Sequence, residues 1–309
     1  MLQNIGTPSQ RSSSGRTIPA GARLRALLAV GACKIAPDTP DGLMGKMVAL
    51  AGFEIAFVGL MGSALNRIGS PDAGLLTATE LVDNATRCIS ASGLATIVDV
   101  GSGFGNPVNV LRTVSELVRA GAAGVLLNDG EDPRAHRNAT AAISPADMAA
   151  KLKAACDARD ESQLVVVAGI SGAAEATSIS SVATRAKRYR EAGADLIHLG
   201  TLRATARAAA LAKELAGIPL ACDLAADSAI DAAELGALGY QLAFFPHCGL
   251  LAAIPAIEHT FSELARTGTV GHVRPHIADF RKFTDIAGLP DVQQLEARYG
   301  VPDEQRTTL

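Results

Sequence analysis

The sequence predicts an α/β protein, a (β/α)₈ TIM barrel with extra C-terminal helices. Eight short apolar runs alternate with Ala-rich amphipathic stretches, over a length that suits a barrel of roughly 250 residues. The runs are almost continuously apolar, as is typical of parallel strands buried on both faces. The chain is 48% hydrophobic but only 4% aromatic, so its core has to be aliphatic. An open doubly wound sheet is the alternative, because periodicity alone does not exclude it.

The order of strands and helices can be followed along the whole chain. Predicted strands lie at 33–37, 54–59, 95–100, 123–129, 164–169, 195–200, 218–224 and 241–247. Between two of them, Ser144 is a predicted N-cap and Pro145 the first residue of a helix. After about residue 250 the chain has more helix than a barrel needs for closure. We expect these surplus helices to pack on a neighbouring subunit.

Composition excludes several classes of function. The net charge is −3, with no basic face, which argues against nucleic acid as a partner. No apolar run reaches the roughly 18 residues that a membrane span needs. Five scattered cysteines without a C-x-x-C pair favour free thiols in a reducing cytoplasm. The polar stretch 1–17 is predicted to be a disordered lead-in, with a transit peptide as the alternative, and residues 18–309 to form one barrel domain.

Candidate functional residues are those at the carboxyl ends of the predicted strands, where TIM barrels place their active sites. They are Lys34, Asp38, Asp41, Gly59, Asp99, Asn128, Asp129, Arg134, His136, Arg137, Ser171, His198, Asp223 and His247.

Each candidate also has a structural interpretation. Asp99 and Asp129 can cap the turns that follow them, although an acid at the end of an apolar strand is costly unless it is paired. His198 lies inside an apolar strand and can be a core histidine. Cys222 and Asp223 alternate, so only one of them faces the barrel interior. The loop "PRAHRN" can grip an anion or be an ordinary surface loop.

Several segments, in order, resemble the isocitrate lyase/phosphoenolpyruvate mutase superfamily. They are "DGLMGKMVALAGFEIAFVG", "GSPDAGLLTATELVDNATRC", "VDVGSGFGNPVNVLRTVSELVRAGAAGVLLND", "RAKRYREAGAD", "ELGALGYQLAFFP" and "LEARY". Together they cover about residues 30 to 300. No single motif is decisive, but their order and spacing are specific.

The resemblance implies a fold, a chemistry and an assembly. The family is a barrel whose last helix swaps between subunits, so we expect a homodimer or homotetramer. Its members make or break C–C or C–P bonds beside a carboxylate, through an enolate that Mg²⁺ stabilises. Asp99 matches the first acid after strand three, and Asp129 matches an acid after strand four. Both are predicted catalytic residues and metal ligands.

Other site positions are carried over from the same resemblance. Gly59 and Leu60 match the residues whose backbone amides hold the substrate carboxylate. His136 falls at the position of the lyases' catalytic cysteine, with Arg134 at a lysine. Both are predicted to be catalytic, with His136 in acid–base work. The remaining predicted substrate-binding residues are Arg137, Asn128, Asp223 and His198.

The sequence departs from the family where charge is expected. The second metal-binding acid is Gly101, the strand-four Glu is Asn128, and the strand-five Arg is Gly169, with Ser171 in place of the acid that follows it. Because acidic and basic groups are missing together, Mg²⁺ is possible but doubtful.

Two functions follow from this combination. One is a carbon–carbon lyase with an altered site, acting on a small 2-oxo or 2-hydroxy carboxylate such as methylisocitrate, oxaloacetate or dimethylmalate. The other is a non-catalytic relative that binds a small acid or a partner subunit. A third hypothesis is a Schiff-base aldolase, for which Lys34 is the only lysine near a predicted strand end.

Overall fold

The computed structural model describes residues 18–131, 142–174 and 177–308. The chain divides into two compact units, one ending at Cys248 and the other beginning at Gly249. The first contains the eight strands and the second the C-terminal helices, and each is described separately.

The first unit is a nearly closed parallel barrel. Its strands are β1 (Lys34–Pro37), β2 (Ile55–Val58), β3 (Ala95–Asp99), β4 (Gly124–Asn128), β5 (Val165–Gly169), β6 (Leu196–Thr201), β7 (Leu220–Asp223) and β8 (Tyr240–Phe245). They follow the order β1-β8-β7-β6-β5-β4-β3-β2. A bridge between Asp38 and Phe57 joins the two ends of this order. The predicted barrel is confirmed, and the pairing of the first strand with the last rules out the open doubly wound sheet.

Helices surround the strands. They are α1 (Ala20–Leu28), α2 (Gly42–Leu50), α3 (Leu60–Ile68), α4 (Ala78–Ser92), α5 (Pro107–Ala120), α6 (Pro145–Ala158), α7 (Ile179–Glu191), α8 (Thr205–Glu214) and α9 (Ala232–Ala237). Helix α6 begins as predicted, with Pro145 in its first turn and the Ser144 side chain accepting a hydrogen bond from the Asp147 amide.

Two apolar layers hold the barrel together. Inside it lies a small apolar cluster that includes Ile97, Leu126 and Val167, while the larger cluster between strands and helices includes Val98 and Val125. Neighbouring residues of one strand therefore belong to different layers, as the alternation of side chains along a strand requires.

The second unit contains α10 (Cys248–Thr267), α11 (Phe280–Ala287) and α12 (Leu289–Arg298). Helix α10 has large exposed apolar residues, among them Leu251, Ile257 and Phe261. Helix swapping, the oligomeric state and the single-domain boundary at 18–309 stay predictions. The lead-in at 1–17 lies outside the described residues.

Helix α1 approaches the barrel so closely that only glycine fits at position 21. A Cβ on Gly21 would overlap the Gln163 carbonyl group. We expect Gly21→Ala to lower the free energy of unfolding by about 1–3 kcal/mol, because backbone has to move. Gly42→Ala, whose Cβ would meet only the Ala91 methyl at 3.4 Å, is the matched control and should be near neutral. Equal denaturation midpoints for the two variants would contradict this packing.

Candidate active site

A polar layer lies at the carboxyl ends of the strands. Each member comes two residues after a residue of the inner apolar cluster, so it faces the same side of the strand. The layer consists of Asp38, Gly59, Asp99, Asn128, Gly169, His198 and Asp223. Sequence analysis singled out most of these residues from strand ends alone, and the barrel brings them to one end.

Aromatic rings underlie this layer. The rings of Phe57 and Phe244 are 4.6 Å apart, and the edge of the His198 ring meets Phe244 at 5.6 Å. Both phenylalanines belong to the inner apolar cluster. They separate the polar groups from the aliphatic interior, so polar chemistry at this end is confined to the mouth of the barrel.

Asp99 lies in the polar layer as predicted. Its carboxylate is buried, and Oδ1 accepts hydrogen bonds from the Gly101 amide at 2.9 Å and from Asn128 Nδ2 at 3.2 Å. Asn128, which replaces the expected glutamate, therefore contacts the acid that the family retains.

Asn128 also explains why position 169 is glycine. A Cβ on Gly169 would overlap Asn128 Oδ1. The arginine expected from the resemblance is thus incompatible with the observed position of the asparagine. These two departures from the family are one geometric change.

His198 and Asp223 form a hydrogen-bonded pair in the same layer. His198 Nε2 lies 2.9 Å from Asp223 Oδ1, and Thr201 Oγ1 lies 3.4 Å from Asp223 Oδ2. The side chains are 7% and 17% exposed. Cys222 belongs to the larger apolar cluster between strands and helices. Of the two alternating residues Cys222 and Asp223, it is therefore Asp223 that faces the barrel interior. A carboxylate that orients an imidazole is a common arrangement for proton transfer.

Asp38 and His247 form a second pair, to which sequence analysis gave no role. Asp38 is buried, and its Oδ1 accepts the Gly59 amide at 3.0 Å. Its Oδ2 accepts the His247 amide at 3.1 Å and lies 3.2 Å from His247 Nδ1. Their only sequence signal was a place at the carboxyl end of a predicted strand, 33–37 for Asp38 and 241–247 for His247.

The surroundings of His247 favour its charged form. Its pKa is raised from the ordinary value, chiefly by the hydrogen bond to Asp38, against an opposing effect of burial. The negative charges of Asp38, Asp223 and Asp99 raise the pKa further. The imidazolium is therefore retained at higher pH than in an isolated histidine.

Gly59 and Leu60 differ in what they offer to a ligand. The Gly59 amide already donates to Asp38. The Leu60 side chain belongs to the outer apolar cluster, while its amide lies in the first turn of α3. Amides in a first turn have no partner within the helix, which suits an anion. Of the two predicted amides, that of Leu60 is the better candidate.

Asp129 faces away from the mouth. Because Asn128 points inward, the next residue points toward the helices, where Asp129 is 0% exposed. Its carboxylate accepts hydrogen bonds from Arg185 Nη1 at 2.8 Å, Tyr189 Oη at 2.7 Å and the Ser171 amide at 2.7 Å. Burial and the Asp129 charge raise the pKa of Tyr189, so the hydroxyl remains a donor. These contacts do not support the expected catalytic and metal-binding role and indicate a structural one instead.

Lys34 lies at the wrong end of the barrel to act as a Schiff-base lysine. It begins β1, at the end of the strand opposite the polar layer, and its Nζ pairs with Glu54 at 2.8 Å. The Schiff-base alternative therefore loses its lysine. Arg134, His136 and Arg137 lie outside the described residues.

The described side chains at the mouth do not fit the Mg²⁺ ion that the resemblance implies. Mg²⁺ needs several oxygen donors in near-octahedral geometry. Gly101 supplies no side-chain ligand, while Asp38 and Asp223 are engaged by histidines. Across 18–131, 142–174 and 177–308, no group of three or more His, Cys, Asp or Glu side chains is arranged to hold a metal.

The Asn128–Gly169 contact can be tested by mutation. Gly169→Ala should lower stability by about 1–3 kcal/mol, because the new methyl displaces the amide. In Asn128→Ala the same change should cost less, giving a coupling energy in a double-mutant cycle measured by denaturation. Strictly additive effects would show that the two positions are independent.

The role of Asp129 can be tested through its partner. Arg185→Met should lower the free energy of unfolding by about 3–5 kcal/mol, because it leaves a buried carboxylate without its ion pair. Lys187→Met, on the exposed side of the same helix, should change it by about 0.5 kcal/mol or less. If both variants unfold at the same denaturant concentration, the structural interpretation of Asp129 is wrong.

Known proteins resemble this chain over most of its length. A 2,3-dimethylmalate lyase of Eubacterium barkeri is 30% identical over 282 residues, which cover 90% of this chain and 97% of that protein. An oxaloacetate decarboxylase of Rhodopseudomonas palustris (strain BisB5) is 33% identical over 242 residues, covering 78% and 83%.

Solved structures show the same fold. Oxaloacetate acetylhydrolase, in complex with the inhibitor 3,3-difluorooxalacetate, superposes with a TM-score of 0.85 at 26% identity, covering 93% of this chain and 99% of that one. A phosphonopyruvate hydrolase bound to oxalate and Mg²⁺ has a TM-score of 0.82 at 24% identity, covering 91% and 99%; this likeness concerns the fold. A metal is thus present in one protein of this fold.

The family profile described as phosphoenolpyruvate phosphomutase matches residues 24–265. Its match spans the strands and the polar layer at their carboxyl ends. Another solved relative is itself described as a member of the PEP mutase/isocitrate lyase superfamily. With this profile and relatives at 30% identity or more over most of both chains, the chain belongs to the phosphoenolpyruvate phosphomutase family of the PEP mutase/isocitrate lyase superfamily.

Proposed function

We propose that this protein is a carbon–carbon lyase with an altered active site. Its substrate is a small 2-hydroxy or 2-oxo carboxylate of the dimethylmalate, methylisocitrate or oxaloacetate type. The observation that carries the proposal is the His198–Asp223 pair, 2.9 Å apart, in the polar layer that also holds Asp99. Relatives named as a dimethylmalate lyase and an oxaloacetate decarboxylase support this substrate class.

The His198–Asp223 pair supplies the proton transfers of the reaction. With a 2-hydroxy acid, the pair accepts the hydroxyl proton, the C2–O bond becomes a carbonyl, and the C2–C3 bond breaks. The electron pair of that bond passes to the departing carboxylate as an enolate, which then takes up a proton. With oxaloacetate, loss of CO₂ gives the enolate of pyruvate directly, and only the final protonation is needed.

Substrate binding requires positive charge at a mouth that contains Asp38, Asp99 and Asp223. In this proposal, Arg134 and Arg137, which follow β4 in the sequence, bind the carboxylate, with the Leu60 amide as a further donor. His136, between them in the sequence, remains a candidate acid or base. No step is assigned to a divalent cation, because the described ligand set does not fit one.

The setting of the enzyme is part of the proposal. We expect a homodimer or homotetramer, consistent with the exposed apolar residues of α10. A cytoplasmic location is in keeping with the free thiols. No described helix is long and apolar enough to span a membrane.

The experiment is an assay of the purified protein with dimethylmalate, methylisocitrate and oxaloacetate, in Mg²⁺ and then in EDTA. We expect turnover of at least one compound that persists in EDTA. His198→Gln should lower kcat about 10²- to 10⁴-fold, the usual size of a general acid–base contribution. His276→Gln, an exposed histidine outside the barrel, is the matched control.

Two results would contradict the proposal. Full activity of His198→Gln would remove the pair from the mechanism. Binding of these acids without turnover by the wild type would favour the alternative, a non-catalytic relative that binds a small acid.

A further inference from the structure

We propose that the imidazolium of His247, held by Asp38, is the electrophile that stabilises the enolate oxygen, in the place where the family uses a metal ion. This inference rests on the proposed function and adds to it the group that receives the developing charge. The ligand class is a planar oxyanion, either the enolate that bond cleavage forms or its analogue oxalate.

The position of His247 is fixed by an unusual set of contacts. Its backbone amide and its ring nitrogen Nδ1 both lie within 3.2 Å of the same buried oxygen, Asp38 Oδ2. The backbone adopts a left-handed conformation, with φ of +61°, which is uncommon for a residue other than glycine. Such a conformation persists where the surroundings enforce it, and it is enriched at functional sites.

The ring of His247 is accessible to solvent, whereas the Asp38 carboxylate that holds it is not. The His247 side chain is 36% exposed, whereas the Asp38 side chain is 0% exposed. With Nδ1 directed at Asp38, the second ring nitrogen, Nε2, is the N–H left to contact a ligand. His198 offers less, because its Nε2 is committed to Asp223 and its side chain is only 7% exposed.

Electrostatics at the mouth favour such a cation. Among the described residues, the charged groups that act on His247 are Asp38 after β1, Asp99 on β3 and Asp223 on β7. Three carboxylates oppose the approach of an anion and the formation of an enolate. They also raise the pKa of His247, so they help to maintain a positive charge that offsets them.

The chemical step needs no additional reactant. As the carbon–carbon bond breaks, its electron pair forms the C=C bond of the enolate. The π electrons of the adjacent group, the ketone of oxaloacetate or the carboxylate of the departing fragment of a 2-hydroxy acid, move to oxygen. The Nε2–H of His247 donates a hydrogen bond to that oxygen, and its proton stays on nitrogen throughout. A preorganised donor aimed at developing charge is a general way to stabilise such a transition state.

The experiment measures oxalate binding by calorimetry in EDTA at several pH values. The wild type should bind, and the affinity should fall as pH rises through the pKa of His247, because the imidazolium is lost there. His247→Asn, which tolerates a left-handed backbone, should bind about tenfold or more weakly below that pKa and show a flatter pH profile. His276→Gln should match the wild type.

A second measurement uses only the wild-type protein, so it does not require that a variant folds. In NMR of the wild type with labelled histidine, oxalate in EDTA should raise the pKa of His247, since a bound anion favours the charged form. The inference is overturned if oxalate leaves this pKa unchanged, if it binds only with Mg²⁺, or if a folded His247→Asn variant binds it with the wild-type pH profile.

The two proposals fail in different ways. If the protein turns over a substrate in EDTA but binds oxalate equally well without His247, the role of His247 as electrophile is wrong and the lyase proposal stands. Oxalate binding that depends on His247, with no turnover of any tested acid, would support the oxyanion site and overturn the lyase.

Discussion

Alternation of side chains along the strands is the constraint on which the site depends. On β4, Asn128 points into the barrel and contacts Asp99, so Asp129 has to point outward. There it is buried and paired with Arg185 of α7. One residue of β4 thus faces the mouth of the barrel, while the acid that follows it stabilises the packing of a helix on the sheet.

The departures from the family are physically linked. Asn128 occupies the space that a side chain at position 169 would need, and its amide contacts Asp99, the acid that remains. Gly101 then leaves that acid without the expected second carboxylate. Asp38 and His247, joined at 3.2 Å, form a further pair at the same end of the barrel.

The sequence predicted the fold well because its signals are local and repeated. Strand ends also identified Asp99, Asn128, His198 and Asp223, since parallel strands of a barrel deliver their carboxyl ends to one side. The two ion pairs could not be predicted from the sequence, because Asp129 and Arg185 are 56 residues apart and Asp38 and His247 are 209 residues apart. Only the folded barrel shows that one aspartate faces a helix and that another holds a histidine.

We propose that a histidine, and not a metal ion, contacts the oxyanion in this barrel. The sharpest test is a crystal structure of the protein grown with both oxalate and Mg²⁺. We expect oxalate at the barrel mouth, with an oxygen within hydrogen-bond distance of His247 and no metal ion between the oxalate and Asp99. A magnesium ion that bridges oxalate and Asp99, with His247 turned away, would contradict it.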